Sequence, residues 1–214
     1  MGSEMCIRDS SSSNLDNTNA LYVLIDGNWR KIIQSAKGES IDILKVNDDK
    51  KLAYISANIG DRDKQELLKV DLMTGKYETL YKDPDNEADV YSVQFNDAGE
   101  PLAVAYYGGR LRVYPLDAEF ARRWDVINRH FNQDVEITIG EMNEKTHLWQ
   151  IHVASDRAAG ADYQYNAATG DIHLLVDIPA SIPADQLSPR QSIVYTARDG
   201  VKIQAYLTLP KGKQ

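Results

Sequence analysis

The chain has 214 residues, 43% apolar and 26% charged, with 24 lysines and arginines against 32 aspartates and glutamates. This composition supports a buried core and excludes wholesale disorder. A net charge of −8 excludes the basic footprint that nucleic acid or an anionic membrane surface needs. The length allows one large domain or two small ones.

Residues 1–19 are polar, Ser-rich and aperiodic, and read as a disordered or artefactual leader. They lack the basic start and apolar stretch of a secretory signal. Met5-Cys6-Ile7-Arg8-Asp9-Ser10 resembles a translated sequencing-adapter scar, which sets it outside the fold and implies that the native upstream sequence is missing. Cys6 is the single cysteine, so no intramolecular disulfide forms. Apolar runs such as Ala20 to Ile25 are far too short for a membrane-spanning helix.

Short strands separated by turn signals then follow. Leu21–Ile25 and Trp29–Gln34 flank a turn at Asp26-Gly27-Asn28. Ile41–Val46, Leu52–Ala57, Leu67–Leu72 and Lys76–Tyr81 make a set of four. Val90–Phe95, Leu102–Tyr107 and Arg110–Leu116 make a second set. Val135–Ile139, Leu148–Ala154, Tyr163–Asn166 and Ile172–Val176 make a third.

The sets align. Asn47-Asp48 before Leu52 and Asn96-Asp97 before Leu102 lie 49 residues apart, and Thr74-Gly75 and Thr169-Gly170 lie 95 apart. The second spacing is two periods of about 47 residues. Four-stranded units at this period are what β-propeller blades produce. The second strand of each set reads as apolar on both faces, as a strand covered by neighbouring blades should. The expected domain is a partial β-propeller over 20–178, about three four-stranded blades plus the first hairpin.

In place of a fourth strand, the second set continues into a helix over 117–131. Asp117 is the expected N-cap, and Glu119 complements the first turn. Phe120, Trp124, Ile127 and Phe131 recur as one apolar stripe.

Catalytic and metal-binding patterns are not apparent. Gly38-Glu39-Ser40 lacks the second glycine of a Gly-x-Ser-x-Gly elbow. His147 and His152, five residues apart, point to opposite faces of a regular strand and cannot share a metal. His130 and His173 lack clustered partners. Asp83 to Asp89 alternates carboxylates like a calcium loop, but Ala88 and Gln94 stand where glycine and glutamate are required. This stretch reads as a solvated loop. The expected site inventory is therefore empty: no catalytic residue, no cofactor-binding residue and no metal ligand.

Pro179, Pro183 and Pro189 mark 179–191 as a linker. Beyond it, Ser192–Thr196 and Val201–Leu209 flank Arg198-Asp199-Gly200, a hairpin. The pattern Tyr195-Thr196, Asp199-Gly200, Ile203, Tyr206-Leu207, Leu209-Pro210 resembles the start of the catalytic domain in the prolyl oligopeptidase family of serine peptidases. The match is closest to the acylaminoacyl-peptidase and dipeptidyl-aminopeptidase-like branch, which the helix start Leu116–Ala121 also resembles. The resemblance covers nearly everything after Asn19.

It implies a propeller that restricts access of large substrates to an α/β-hydrolase domain, of which 192–214 would be the first hairpin. It also implies that the serine, aspartate and histidine lie downstream, that the chain is truncated at both ends, and that no cofactor is used. The implied partners are peptide substrates and the intramolecular hydrolase domain. Relatives in this family occur in cytoplasm and periplasm alike. The alternative is a non-catalytic propeller similar to the TolB type, binding proteins as a scaffold. An isolated partial propeller, with faces left uncovered, is expected to associate.

Overall fold

Alternating apolar residues, β-branched and aromatic side chains and regularly spaced turns dictate antiparallel meanders here, and the structure is built of them. It is a computed structural model and describes residues 9–13, 17–25, 27–47, 51–131 and 134–212. The leader expectation for 1–8, including Met5–Arg8 of the scar-like stretch, lies outside the described residues. The chain divides into two units, Met1–Tyr106 and Tyr107–Gln214.

In the first unit, β1 (Asp9–Ser13), β2 (Asn19–Ile25) and β3 (Asn28–Gln34) form one sheet. Pairing therefore begins inside the stretch read as leader, with Ser11 opposite Leu21. β4 (Ile41–Val46), β5 (Leu52–Ala57), β6 (Glu66–Asp71) and β7 (Tyr77–Tyr81) form a four-stranded meander in sequence order. β8 (Val90–Phe95) and β9 (Pro101–Gly108) pair next; β9 runs on into the second unit, where β10 (Arg110–Pro115) follows it in the same sheet. That sheet has three strands, as the second set predicted.

Leu21, Val23 and Ile33 of the first sheet share one core with Ile55, Leu68 and Val70 of the second. β5 and the middle of β9 are buried on both faces. Tyr54 of β5 is 5.6 Å, ring to ring, from Phe95 of β8, and its hydroxyl donates to Glu100 at 2.5 Å. The aligned asparagines do the same work. Asn47 Oδ1 accepts from the Leu52 amide at 3.0 Å, and Asn96 Oδ1 from the Glu100 amide at 2.8 Å.

In the second unit, α1 (Ala118–His130) is capped by the Asp117 side chain, which accepts from the Phe120 amide at 2.8 Å. β11 (Glu136–Asn143), β12 (Leu148–Ser155), β13 (Ala158–Asn166) and β14 (Ile172–Asp177) form a second four-stranded meander. The helix stripe packs where predicted. Phe120 stacks on Trp149 at 5.4 Å, and Phe131 meets Tyr163 edge-on at 4.8 Å.

One expectation fails in this sheet. β12 is buried on one face only: Trp149, Ile151 and Val153 are covered, while Gln150 is exposed. Trp149 and Ile151 share one parity, so their apolarity describes a single face.

After a 3₁₀ turn at Ala184–Gln186, β15 (Gln191–Thr196) and β16 (Lys202–Leu207) form the expected hairpin. Gly200 takes φ +87° at its turn. The fold class is as read: mainly β, with one α-helix among the described residues and a hairpin after the sheets.

Candidate functional site

The histidines are kept apart. His147 lies in the turn before β12 with φ +58°. His130 ends α1, and His173 lies on β14, opposite Gln164. His152, in mid-strand, turns its Nδ1 to Asp162 Oδ1 at 2.7 Å. Its ring lies so close to Gly160 that a Cβ there would meet Nε2 at 3.0 Å. The pair borders a pocket of about 290 Å³ with Thr138, Gln150, Leu175 and Val176. Asp162 is the only hydrogen-bond partner of the ring among the described residues. The dyad therefore orients an imidazole without activating a nucleophile.

The carboxylate-rich loop at 83–89 is solvated as expected at Pro84, Asp85, Asn86, Glu87 and Asp89, but its first carboxylate is not. Asp83 is buried. Its Oδ2 accepts from the amides of Glu87 at 2.9 Å and Ala88 at 3.0 Å. Its lone pairs are thus directed at backbone donors of the same loop. Among the described residues, no group of three or more His, Cys, Asp or Glu side chains is arranged to hold a metal.

The densest polar geometry lies in the second unit, where strand ends and loops converge. Arg110 opens β10, and Asp134 and Glu136 lead into β11. Asp156 and Arg157 form the β12–β13 turn, and Arg190 precedes β15. Three guanidinium groups face three carboxylates. Arg110 Nη2 contacts Asp134 Oδ1 at 2.8 Å, and Arg157 contacts the other oxygen. These two hydrogen bonds hold the Asp134 carboxyl below the usual carboxylate range. Asp134 in turn raises the pKa of Arg110.

Arg190 is the most connected member. Its amide donates to the Asp156 carboxylate. Its Nη2 donates to the Tyr107 hydroxyl at 3.1 Å and lies 3.6 Å from Glu136 Oε1. Its guanidinium carbon sits 4.6 Å above the Tyr206 ring, a cation–π contact. The Tyr107 hydroxyl reaches both Glu136 oxygens at 3.1 Å. Burial, with the Glu136 carboxylate adding to it, pushes the Tyr107 phenol up despite Arg190.

The charged members did not stand out in the sequence, because Arg110, the Asp134–Glu136 segment, the Asp156-Arg157 turn and Arg190 are far apart in the chain and no local spacing joins them. Among the described residues the charges of the cluster pair with one another. What it can do is fasten the segment entering β15 to the strand ends of the sheet.

The hairpin carries two unlike faces. Ser192, Val194, Gln204 and Tyr206 share the face from which Ser192 and Gln204 approach Gly109. Ile193, Tyr195, Ile203 and Leu207 share the other, and all four are exposed.

The arrangement of these elements has counterparts in solved structures. The fold is that of a part of solved prolyl oligopeptidase structures. A prolyl endopeptidase, from a study of inter-domain dynamics in catalysis and specificity, matches over 96% of this chain and 31% of its own, at 14% identity and a TM-score of 0.60. A puromycin-hydrolyzing peptidase of Mycobacterium tuberculosis matches over 89% of this chain and 29% of its own, at 14% identity and a TM-score of 0.60. Oligopeptidase B from Leishmania major matches over 95% and 32%, at 12% identity and a TM-score of 0.57. This chain thus spans about a third of the length of the prolyl oligopeptidase-fold structures it matches. No protein-family model matches it, and no curated protein matches its sequence. No helix among the described residues is long and apolar enough to cross a membrane.

Proposed function

We propose that this chain is the non-catalytic propeller portion of a serine peptidase that hydrolyses short peptides. In this reading it gates substrate access to a hydrolase domain lying outside these 214 residues. The observation that carries the reading is the reach of the structural likeness. At 96% of the chain it extends past the blade-like sheets into the hairpin. A propeller scaffold alone gives no account of a Pro-bearing linker feeding a hairpin with an exposed apolar face. Ile193, Tyr195, Ile203 and Leu207 supply a surface suited to packing against a following domain.

The test is to extend the coding region downstream and express the longer protein. It is expected to encode a Gly-x-Ser-x-Gly elbow followed by aspartate and histidine. It should cleave peptide p-nitroanilides and short peptides much faster than folded proteins, while the 214-residue chain alone is inactive. A downstream reading frame without that elbow overturns the proposal. So does equal cleavage of short peptides and folded proteins.

A further inference from the structure

The hairpin β15–β16 is thinly attached to the rest of its unit. Its strands pack extensively only on each other, and every residue of both is exposed except Ala205. Among the described residues, each hydrogen bond or ion pair from 190–212 to the preceding strands and loops starts on Arg190. A two-stranded hairpin is marginal by itself in water, so what holds it decides how far it is ordered.

We propose that Arg190 is a charge-dependent anchor that sets whether the hairpin is docked on, or released from, the ends of β9 and β11. The side chain works through three different contacts. One bond goes to the Tyr107 hydroxyl, one ion pair goes to Glu136, and the planar face stacks on Tyr206 inside the hairpin. The Tyr206 contact ties the guanidinium to β16, and the other two tie it to β9 and β11. A planar fork can stack and bond in the plane together, which an ammonium cannot.

The contacts are partly exposed, with Arg190 and Glu136 side chains at 37% and 25% of full accessibility, so added salt weakens the ion pair. Release would free the hairpin as one body, because its own ladder pairs from Gln191–Leu207 to Thr196–Lys202 stay intact. The inference stands whether or not a hydrolase domain follows.

Hydrogen–deuterium exchange on the full chain tests it, comparing wild type with Arg190→Met and Arg190→Lys. In Arg190→Met, protection in 191–196 and 202–207 should fall about tenfold, with β11–β14 changed less than about twofold. Arg190→Lys should recover only part of the loss. Unchanged protection of the hairpin overturns the proposal. A uniform fall across β11–β16 also overturns it, since Arg190 would then be an ordinary part of one cooperative unit. If the variants fold poorly, wild type carries the test. Raising salt from about 0.05 to about 1 M should deprotect the hairpin selectively, and its failure to do so refutes the anchor.

Discussion

His147 occupies the position in the β11–β12 turn that Gly170 occupies in the β13–β14 turn, with φ +58° against +84°. Asn143 Oδ1 accepts from the Lys145 and Thr146 amides at 3.1 and 3.0 Å, and Asn166 Oδ1 from the Ala168 and Thr169 amides at 2.9 and 3.4 Å. Asp71 does the same for Met73 and Thr74, both at 2.9 Å, ahead of Gly75 at φ +74°. An Asx side chain, a threonine three residues on and a left-handed residue after it make one repeated device.

A side chain at the left-handed position costs roughly 1 kcal/mol. His147→Gly is therefore expected to stabilise the chain by about that amount, and Gly170→Ala to destabilise it similarly. Gly75→Ala should cost more, because its Cβ would lie 2.9 Å from the Ile32 carbonyl oxygen. Urea unfolding of the three variants ranks them, and a destabilised His147→Gly contradicts the account.

Asp71 tests the same turn by pH. Backbone hydrogen bonds, first from Thr74, hold its carboxyl below the usual range. A lowered folded pKa contributes stability that is present above the unfolded value, about 3.9, and lost as pH falls through the folded one. Asn143 and Asn166 already fill this role, so Asp71→Asn should keep the turn. The melting temperature of the variant should fall less steeply than wild type below about pH 4. Parallel curves would show that Asp71 contributes nothing to the acid limb.

Tyr54 governs the opposite limb. Burial first, then the hydrogen bond to Glu100, pushes its phenol well above the ordinary value. Its contribution is fully present below about pH 10, the unfolded tyrosine value, and is lost as pH rises toward the folded one. Tyr54→Phe should cost about 0.5–1.5 kcal/mol at neutral pH, the net worth of the bond to exposed Glu100. It should also flatten the loss of stability above pH ~10, measured by chemical denaturation across pH.

The stacked pair Phe120 and Trp149 makes the helix part of the sheet's core. Phe120→Ala should cost about 3–5 kcal/mol. It should also red-shift the emission from Trp149, which is 4% exposed in the intact protein. A variant with unchanged emission and stability would show that α1 is not seated on β12.

Exposed Tyr195 and Ile203, opposite each other on the hairpin, should make the isolated chain associate with rising concentration in sedimentation experiments. Ile203→Lys should shift that association to higher concentration. A wild-type chain that stays monomeric contradicts the expectation.

Local pattern carried much of this fold. The stripe Phe120 to Phe131, the Asp117 cap, the paired Thr-Gly turns and the Asp199-Gly200 hairpin are each written within a few residues, where period and turn chemistry operate. The misread features depend on what lies across space. The exposed face of β12 was hidden because Leu148, Trp149 and Ile151 look apolar in a row, although only parity assigns faces. The loop at 83–89 is mostly exposed as read, but nothing local says that the amides of Glu87 and Ala88 fold back onto Asp83. The Arg190 cluster gathers side chains from separate loops, so no window of sequence contains it.

Gly109 carries a consequence for engineering. A Cβ at this position would meet Gln204 Nε2 at 2.7 Å and would press on Ser192 as well, so the hairpin and the loop beneath it are fitted to one another. A chimaera spliced within 179–191, joining foreign sheets to this hairpin, would inherit a mismatched seam unless the donor also brought a glycine there. The natural unit of exchange is therefore the sheet together with its hairpin, with the cut placed elsewhere than the proline-marked stretch that looks most permissive.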